Sequence, residues 1–235
     1  EGIALGSLGL VYLRLGDYAG ARGYYGHSLR ILREIGDRQG EGLVLAHLGL
    51  LSHQLNDDEA AQEYSQQALL IAQDLGDRHT QGYALTLLGH ALTSLDHLEE
   101  AAVAYRQALA LRRELGQPNL AMEPLTGLAR VFLAQGNLAQ AKAQVEEILS
   151  HLESQTPSAG PGHGLDGTAE PFQVRLTCYR VLRANQDARA QEVLTTAHTL
   201  LQEQAAKIGA EELRRSFLEN VAAHREILSE WANSE

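Results

Sequence analysis

What this sequence lacks narrows it before any motif is read. A single cysteine, Cys178, excludes an internal disulfide framework. Aromatic residues make up only 5% of the chain, which suits stacked Leu/Ala helices better than a sandwich or barrel, and strand-like alternation is missing. Lysine occurs only at Lys142 and Lys207, and the formal charge is -11. A nucleic-acid or anionic-membrane surface neutralises phosphates with clustered Lys and Arg, so neither is expected as a partner. No apolar run reaches the roughly 18 residues of a membrane span, and no signal peptide is visible, so a cytoplasmic protein is expected. The sequence opens without Met at Glu1, inside what reads as a helix, and is expected to be excised from something larger.

Catalytic motifs are also missing. There is no Gly-x-x-x-x-Gly-Lys-Ser/Thr phosphate loop, no Gly-x-Gly-x-x-Gly between strand and helix, no His-Glu-x-x-His and no Cys-x-x-Cys. The stretch "GPGHG", Gly160 to Gly164, lies among prolines without a lysine and does not read as a phosphate cradle. Acidic pairs such as Asp57-Asp58 and Glu99-Glu100 sit where carboxylates complement helix beginnings. The chain is expected to be no enzyme, to use no cofactor and to hold no metal.

What is present is a period. "EIGDRQGEG" at Glu34 to Gly42 returns as "DLGDRHTQG" at Asp74 to Gly82 and again as "ELGQPNLAM" at Glu114 to Met122, at 40-residue steps. Such self-similarity is the mark of a stacked-repeat architecture. The first unit carries Leu5, Gly9, Tyr12, Ala21 and Tyr25, and the third has Leu85, Gly89, Leu92, Ala101 and Tyr105 in the same register. Apolar residues at three- and four-residue spacing give each unit two amphipathic helices, separated by a Gly, Asn or Asp turn. Gly9, Gly49 and Gly89 recur on the first helix and are expected to face Ala21, Ala61 and Ala101 on the second. A helical Gly costs about 1 kcal/mol relative to Ala, so its recurrence needs a packing reason. Gly36 and Gly76 read as helix C-terminal glycines, and Asp37, Asp77 and Asn119 as caps or turn acceptors for the next hairpin.

Leu-x-x-Leu-Gly-x-x-Tyr followed by Ala-x-x-x-Tyr-x-x-Ala-Leu resembles the tetratricopeptide repeat, in a 40-residue form. The resemblance implies an all-α, right-handed superhelical solenoid. Four units are expected at about 1–37, 38–77, 78–117 and 118–153, then a flexible Gly/Pro/Ser insertion at 154–171. A fifth hairpin and a C-terminal capping helix are expected in 172–235, giving about eleven helices. Cys178 falls at a small-residue position of that fifth hairpin, as a buried small hydrophobe. "LRRSFLENVAAHREIL", from Leu213 to Leu228, resembles the end of the repeat arrays in bacterial signal-transduction ATPases and related transcriptional activators.

In that family the first helices line a concave groove. The register places His47, Gln54, Tyr83, Thr86, His90, Arg130, Arg175 and Tyr179 there, together with Arg14. These residues are expected to receive a protein or peptide and to contribute little to the core. The arginines favour an acidic or carboxylate-bearing segment, and His47 and His90 are expected to titrate near 6.5. The Lys and Asn set of carboxylate-clamping modules is replaced by Gly6, Ala46, Thr86 and Thr126. The function implied is a non-catalytic interaction module, the sensor portion of a larger bacterial signalling ATPase. The alternative is a structural spacer or a self-association module working through the solenoid ends.

Overall fold

The computed structural model describes residues 1–154 and 165–234. Among them are twelve α-helices and no strand: α1 (Gly2–Arg14), α2 (Tyr18–Ile35), α3 (Arg38–Gln54), α4 (Asp58–Asp74), α5 (Arg78–Ser94), α6 (Leu98–Glu114), α7 (Pro118–Ala134), α8 (Leu138–Ser154), α9 (Pro171–Ala184), α10 (Arg189–Ala206), α11 (Glu211–Glu219) and α12 (Ala222–Ala232). The "GPGHG" stretch and the first part of the expected insertion, 155–164, lie outside the described residues.

The punctuation is finer than the 40-residue period suggested. Gly16, Gly36, Gly76, Gly116 and Gly136 all turn the chain through the left-handed region at φ 64 to 74°, and Asn56 and Asp96 take the same turn at φ 59° and 61°. Turns within and between repeats are therefore built alike, every 20 residues. Asn and Asp tolerate this conformation better than other side-chain-bearing residues. After each of the first four turns an aspartate caps the next helix. Asp17, Asp37, Asp57 and Asp77 accept from the amides of Gly20, Gly40, Ala60 and Thr80 at 2.9 to 3.3 Å. Asn119 does not cap: it lies inside α7, where its side chain meets His151 at 3.0 Å.

The helical glycines make room for rings, whereas the sequence pointed to the alanines. A Cβ on Gly9 would sit 2.6 Å from the Tyr25 ring, and one on Gly89 or Gly127 would sit 2.5 or 2.2 Å from the Tyr105 ring. Both tyrosines are fully buried. At Gly49 the opposing residue is the smaller Ser65, with the Ala61 carbonyl next to it.

Hairpins stack in order, and odd-numbered helices also touch one another, α1 with α3, α3 with α5, α5 with α7 and α7 with α9. This contact puts the odd helices on the tighter, inner side of the curve. The capping element differs from the single helix expected: it breaks at Asn220–Val221, where Val221 is extended (φ -72°, ψ 117°), into α11 and α12. α12 packs on α9 and α10, with Ile227 fully buried. α11 reaches across to the other end of the molecule. Asn220 Nδ2 donates to the Gly16 carbonyl at 3.0 Å, and a Cβ on Gly16 would come within 2.5 Å of the Ser216 carbonyl.

Candidate functional site

The inner wall is occupied by the chain itself. Leu165–Glu170, in the last part of the expected insertion, runs as a strap across the concave face before α9 begins at Pro171. Leu165 and Thr168 are buried, at 3% and 2% exposure. Gly167 turns the strap at φ 87°, and the Thr168 hydroxyl donates to the Leu165 carbonyl at 2.7 Å.

Four odd helices hold it. From the end of α1, Arg14 donates to the Thr168 carbonyl at 3.1 Å. From the end of α3, Gln54 donates to the Glu170 carboxylate while accepting from the Tyr18 hydroxyl at 3.2 Å. On α5, His90 Nε2 lies 3.6 Å from the same carboxylate. On α7, the Glu123 carboxylate accepts from the Ala169 amide and, at 3.0 Å, from the Glu170 amide. A carbonyl, two N–H groups and a side-chain carboxylate of one short segment are thus each met by a side chain of the wall.

Electrostatics follow from burial. Desolvation pushes the Glu123 carboxyl up to about 7, against the opposing pull of the Glu170 and Ala169 amides. His90 is held well below its ordinary value, first by burial and then by the His53 and Arg130 charges. His47 is pushed down to about 4 by burial and Arg14. Titration of His47 and His90 near 6.5 is therefore corrected: both rings lie in the wall, too poorly solvated to charge near neutrality.

The expectation that the groove residues contribute little to the core is corrected as well. His90 is 4% exposed, and its Nδ1 bonds the Tyr105 hydroxyl at 2.8 Å. His47 packs between the rings of Tyr25 and Tyr83, at 5.5 and 5.8 Å. Thr86 is 1% exposed and donates its hydroxyl to the Gly82 carbonyl of its own helix. Tyr83 is half-buried, its phenol raised by burial and by Glu123. Arg130 is half-buried, with its charge felt at His90 and Tyr105. Gln54 and His90 are the expected residues that reach the strap's carboxylate directly. Tyr179 is engaged elsewhere, donating to Glu230 on α12 at 3.0 Å and accepting from Arg183 at 2.9 Å. Arg175 is buried on α9 near Cys178.

Glu123 and Glu170 escaped sequence reading. One signal was present: Glu123 holds the register position of Leu43 and Tyr83, an acid where two earlier units place an apolar or aromatic residue. Beside the strap, a cavity of about 300 Å³ opens between Arg14, Tyr18 and Gln54 on one side and Phe172, Phe217 and His224 on the other. Its far wall exists because α11 returns to the first hairpin.

Paired helices stacked into a curve, with a polar inner wall gripping an irregular segment, define a helical-repeat array of the interaction type. Residues 1–74 match one tetratricopeptide repeat family model and residues 83–115 match another, so these segments are tetratricopeptide repeats. Such repeats are in general non-catalytic interaction modules, and those found here suggest protein or peptide binding. None of the curated proteins matches the sequence. The fold is similar to the crystal structure of BtubC (BKLC) from P. vanneervenii, with TM-score 0.63 and 17% identity, over 88% of this chain and 82% of that one. It is also similar to a Rap protein complexed with Competence and Sporulation Factor, with TM-score 0.62 and 16% identity. There the match covers 100% of this chain and 65% of the Rap chain. At these identities the likeness is one of fold. No described helix is long and apolar enough to cross a membrane.

Proposed function

We propose that this chain is a protein- or peptide-recognition module whose site is the concave face formed by α1, α3, α5 and α7. The observation that carries this reading is the grip on Thr168–Glu170: side chains of four consecutive inner helices are already placed to bind a non-helical protein segment. Curved repeat arrays supply extended concave surfaces suited to this task. The Rap protein of similar fold was crystallised with another factor bound. The resemblance of Leu213–Leu228 to the ends of repeat arrays in bacterial signalling ATPases supports placing this module in the sensor portion of such a protein. Arg14 and Arg130 on an otherwise acidic chain favour a partner with a carboxylate-bearing segment.

The test is to select binders from a peptide library on the wild-type chain and challenge them with Arg14→Ala plus Gln54→Ala. Arg14 is exposed and Gln54 half-buried, so the variant should still fold, with a melting temperature lowered only by the lost strap contacts, while selected peptides bind at least tenfold more weakly. Undiminished binding by a folded variant would move the site off the concave face.

A second reading, self-association, has its own observation. Leu8 and Val11 on α1 are 44% and 51% exposed, whereas Leu48 and Leu51, at the same register in α3, are 9% and 2% exposed. This face is a place where another hairpin could stack. Light scattering on the wild type and on Leu8→Glu plus Val11→Glu decides it: a dimer lost in the variant supports self-association, and a monomer in both removes it.

A further inference from the structure

The strap occupies the surface that the proposed function assigns to a partner, so the two cannot share it. We propose that Leu165–Glu170 is a built-in occupant of the groove, displaced by a partner segment that presents an acidic side chain beside two free backbone amides, with an apolar residue further toward its N-terminus. This deepens the proposed recognition function and rests on it.

The chemistry of the partner is read from what each strap group meets. The Arg14 contact is to a carbonyl and the Glu123 contacts are to backbone N–H groups, so any non-helical segment without proline at those positions reproduces them. The demand for an acid comes from Glu170, whose carboxylate takes the Gln54 amide and faces His90, both held within the wall. A Lys there would lose the acceptor that the Gln54 amide requires and bring a cationic donor against it. Leu165, 3% exposed, supplies the apolar anchor five positions before the acid. A protein segment fits this set better than a small anion, because the contacts are to backbone and side-chain groups in fixed order along one chain.

Occupation in cis has a quantitative consequence. A short tethered segment competes at an effective concentration on the order of millimolar, so a partner in trans at micromolar concentration meets a groove that is mostly filled. The strap would thus raise the affinity a partner needs and reject weak, non-acidic segments.

The probe is a labelled, end-blocked peptide of the strap's own sequence, Leu-Asp-Gly-Thr-Ala-Glu-Pro, titrated by fluorescence anisotropy. The strap is loosened by Ala169→Pro, which removes an amide bonded to Glu123, together with Glu170→Ala, which removes the carboxylate. The loosened chain should bind the probe at least tenfold more tightly than the wild type. Adding Gln54→Ala to it should cost at least tenfold, and a probe with Lys in place of its Glu should not bind. Equal binding by wild type and loosened chain would overturn occupancy in cis, while leaving recognition by the groove intact. A folded, loosened chain that ignores the probe at millimolar concentration would overturn the partner chemistry. If the double variant does not fold, Glu170→Ala alone is used, with hydrogen exchange of the amides at positions 169 and 170. Faster exchange than in wild type, with tighter probe binding, supports the proposal; unchanged exchange and binding sink it. Library peptides that bind wild type and loosened chain alike, yet are lost with Arg14→Ala plus Gln54→Ala, would uphold the recognition reading and reject the strap.

Discussion

Glu123 offers a direct measure of how far the strap's anchor is desolvated. Its carboxyl is raised from an ordinary 4.5 to about 7, with burial as the largest cause. The sign follows from linkage: a group whose folded value is raised contributes stability fully present below its unfolded value and lost as pH climbs through the folded value. The window therefore runs from about 4.5 to 7. At about 1.4 kcal/mol per unit, the loss across it is roughly 3 kcal/mol, a large fraction of the 5–15 kcal/mol typical of a domain. Glu123→Gln keeps an oxygen to accept from the Ala169 and Glu170 amides but cannot ionise. Urea unfolding at pH 5, 6, 7 and 8 gives the difference between wild type and variant, in which the other titrating groups cancel. Relative to the variant, the wild type should lose roughly 2 to 3 kcal/mol between pH 5 and 8, most of it below pH 7. Parallel curves would refute the reasoning, because they would mean the carboxylate is solvated and the strap loose. The side-chain amide that the substitution introduces carries a cost of its own, but that cost does not vary with pH and leaves the slope readable.

Gly127→Ala drives a methyl into the Tyr105 ring, and overpacking of this kind costs about 1–3 kcal/mol; the same change beside Tyr105→Ala should be neutral or stabilising, which a double-mutant cycle in urea would read. Gly23→Ala and Gly26→Ala lie on α2 with no atom near the added Cβ, so each should stabilise by up to about 1 kcal/mol and raise the melting temperature. Cys178 is fully buried and its thiol is pushed up to about 12, so a thiol reagent at pH 8 should leave it unmodified until denaturant is added. Rapid native labelling would place it outside the core.

The helices were legible because each unit writes its own start and stop. Asp37 and Asp77 before a helix, Gly36 and Gly76 after one, and apolar residues at helical spacing agree locally with the fold. The contents of the groove were not legible, for a physical reason. Repeat register tells which face a residue occupies within its own hairpin, and that sufficed to direct Gln54 and His90 inward. It carries no information on a segment outside the register. The Gly- and Pro-rich composition before Pro171 read as a loose insertion, and its contacts with Glu123, Arg14 and Gln54 span 46 to 154 residues of sequence. The pairing of Asn220 with Gly16, 204 residues apart, is hidden in the same way. Burial of His47 and His90 is hidden for a like reason: a face that would be solvated in an open array is covered here, at His90 by the strap's Glu170 and at His47 by the rings of Tyr25 and Tyr83.

Hydrogen exchange on the intact chain with a library-selected peptide tests the central claim most directly. With the peptide bound, the 165–170 amides should exchange faster while the inner surfaces of α3, α5 and α7 become protected or unchanged. Protection confined to the outer helices α2, α4 and α6, with 165–170 as slow as in the free chain, would contradict it.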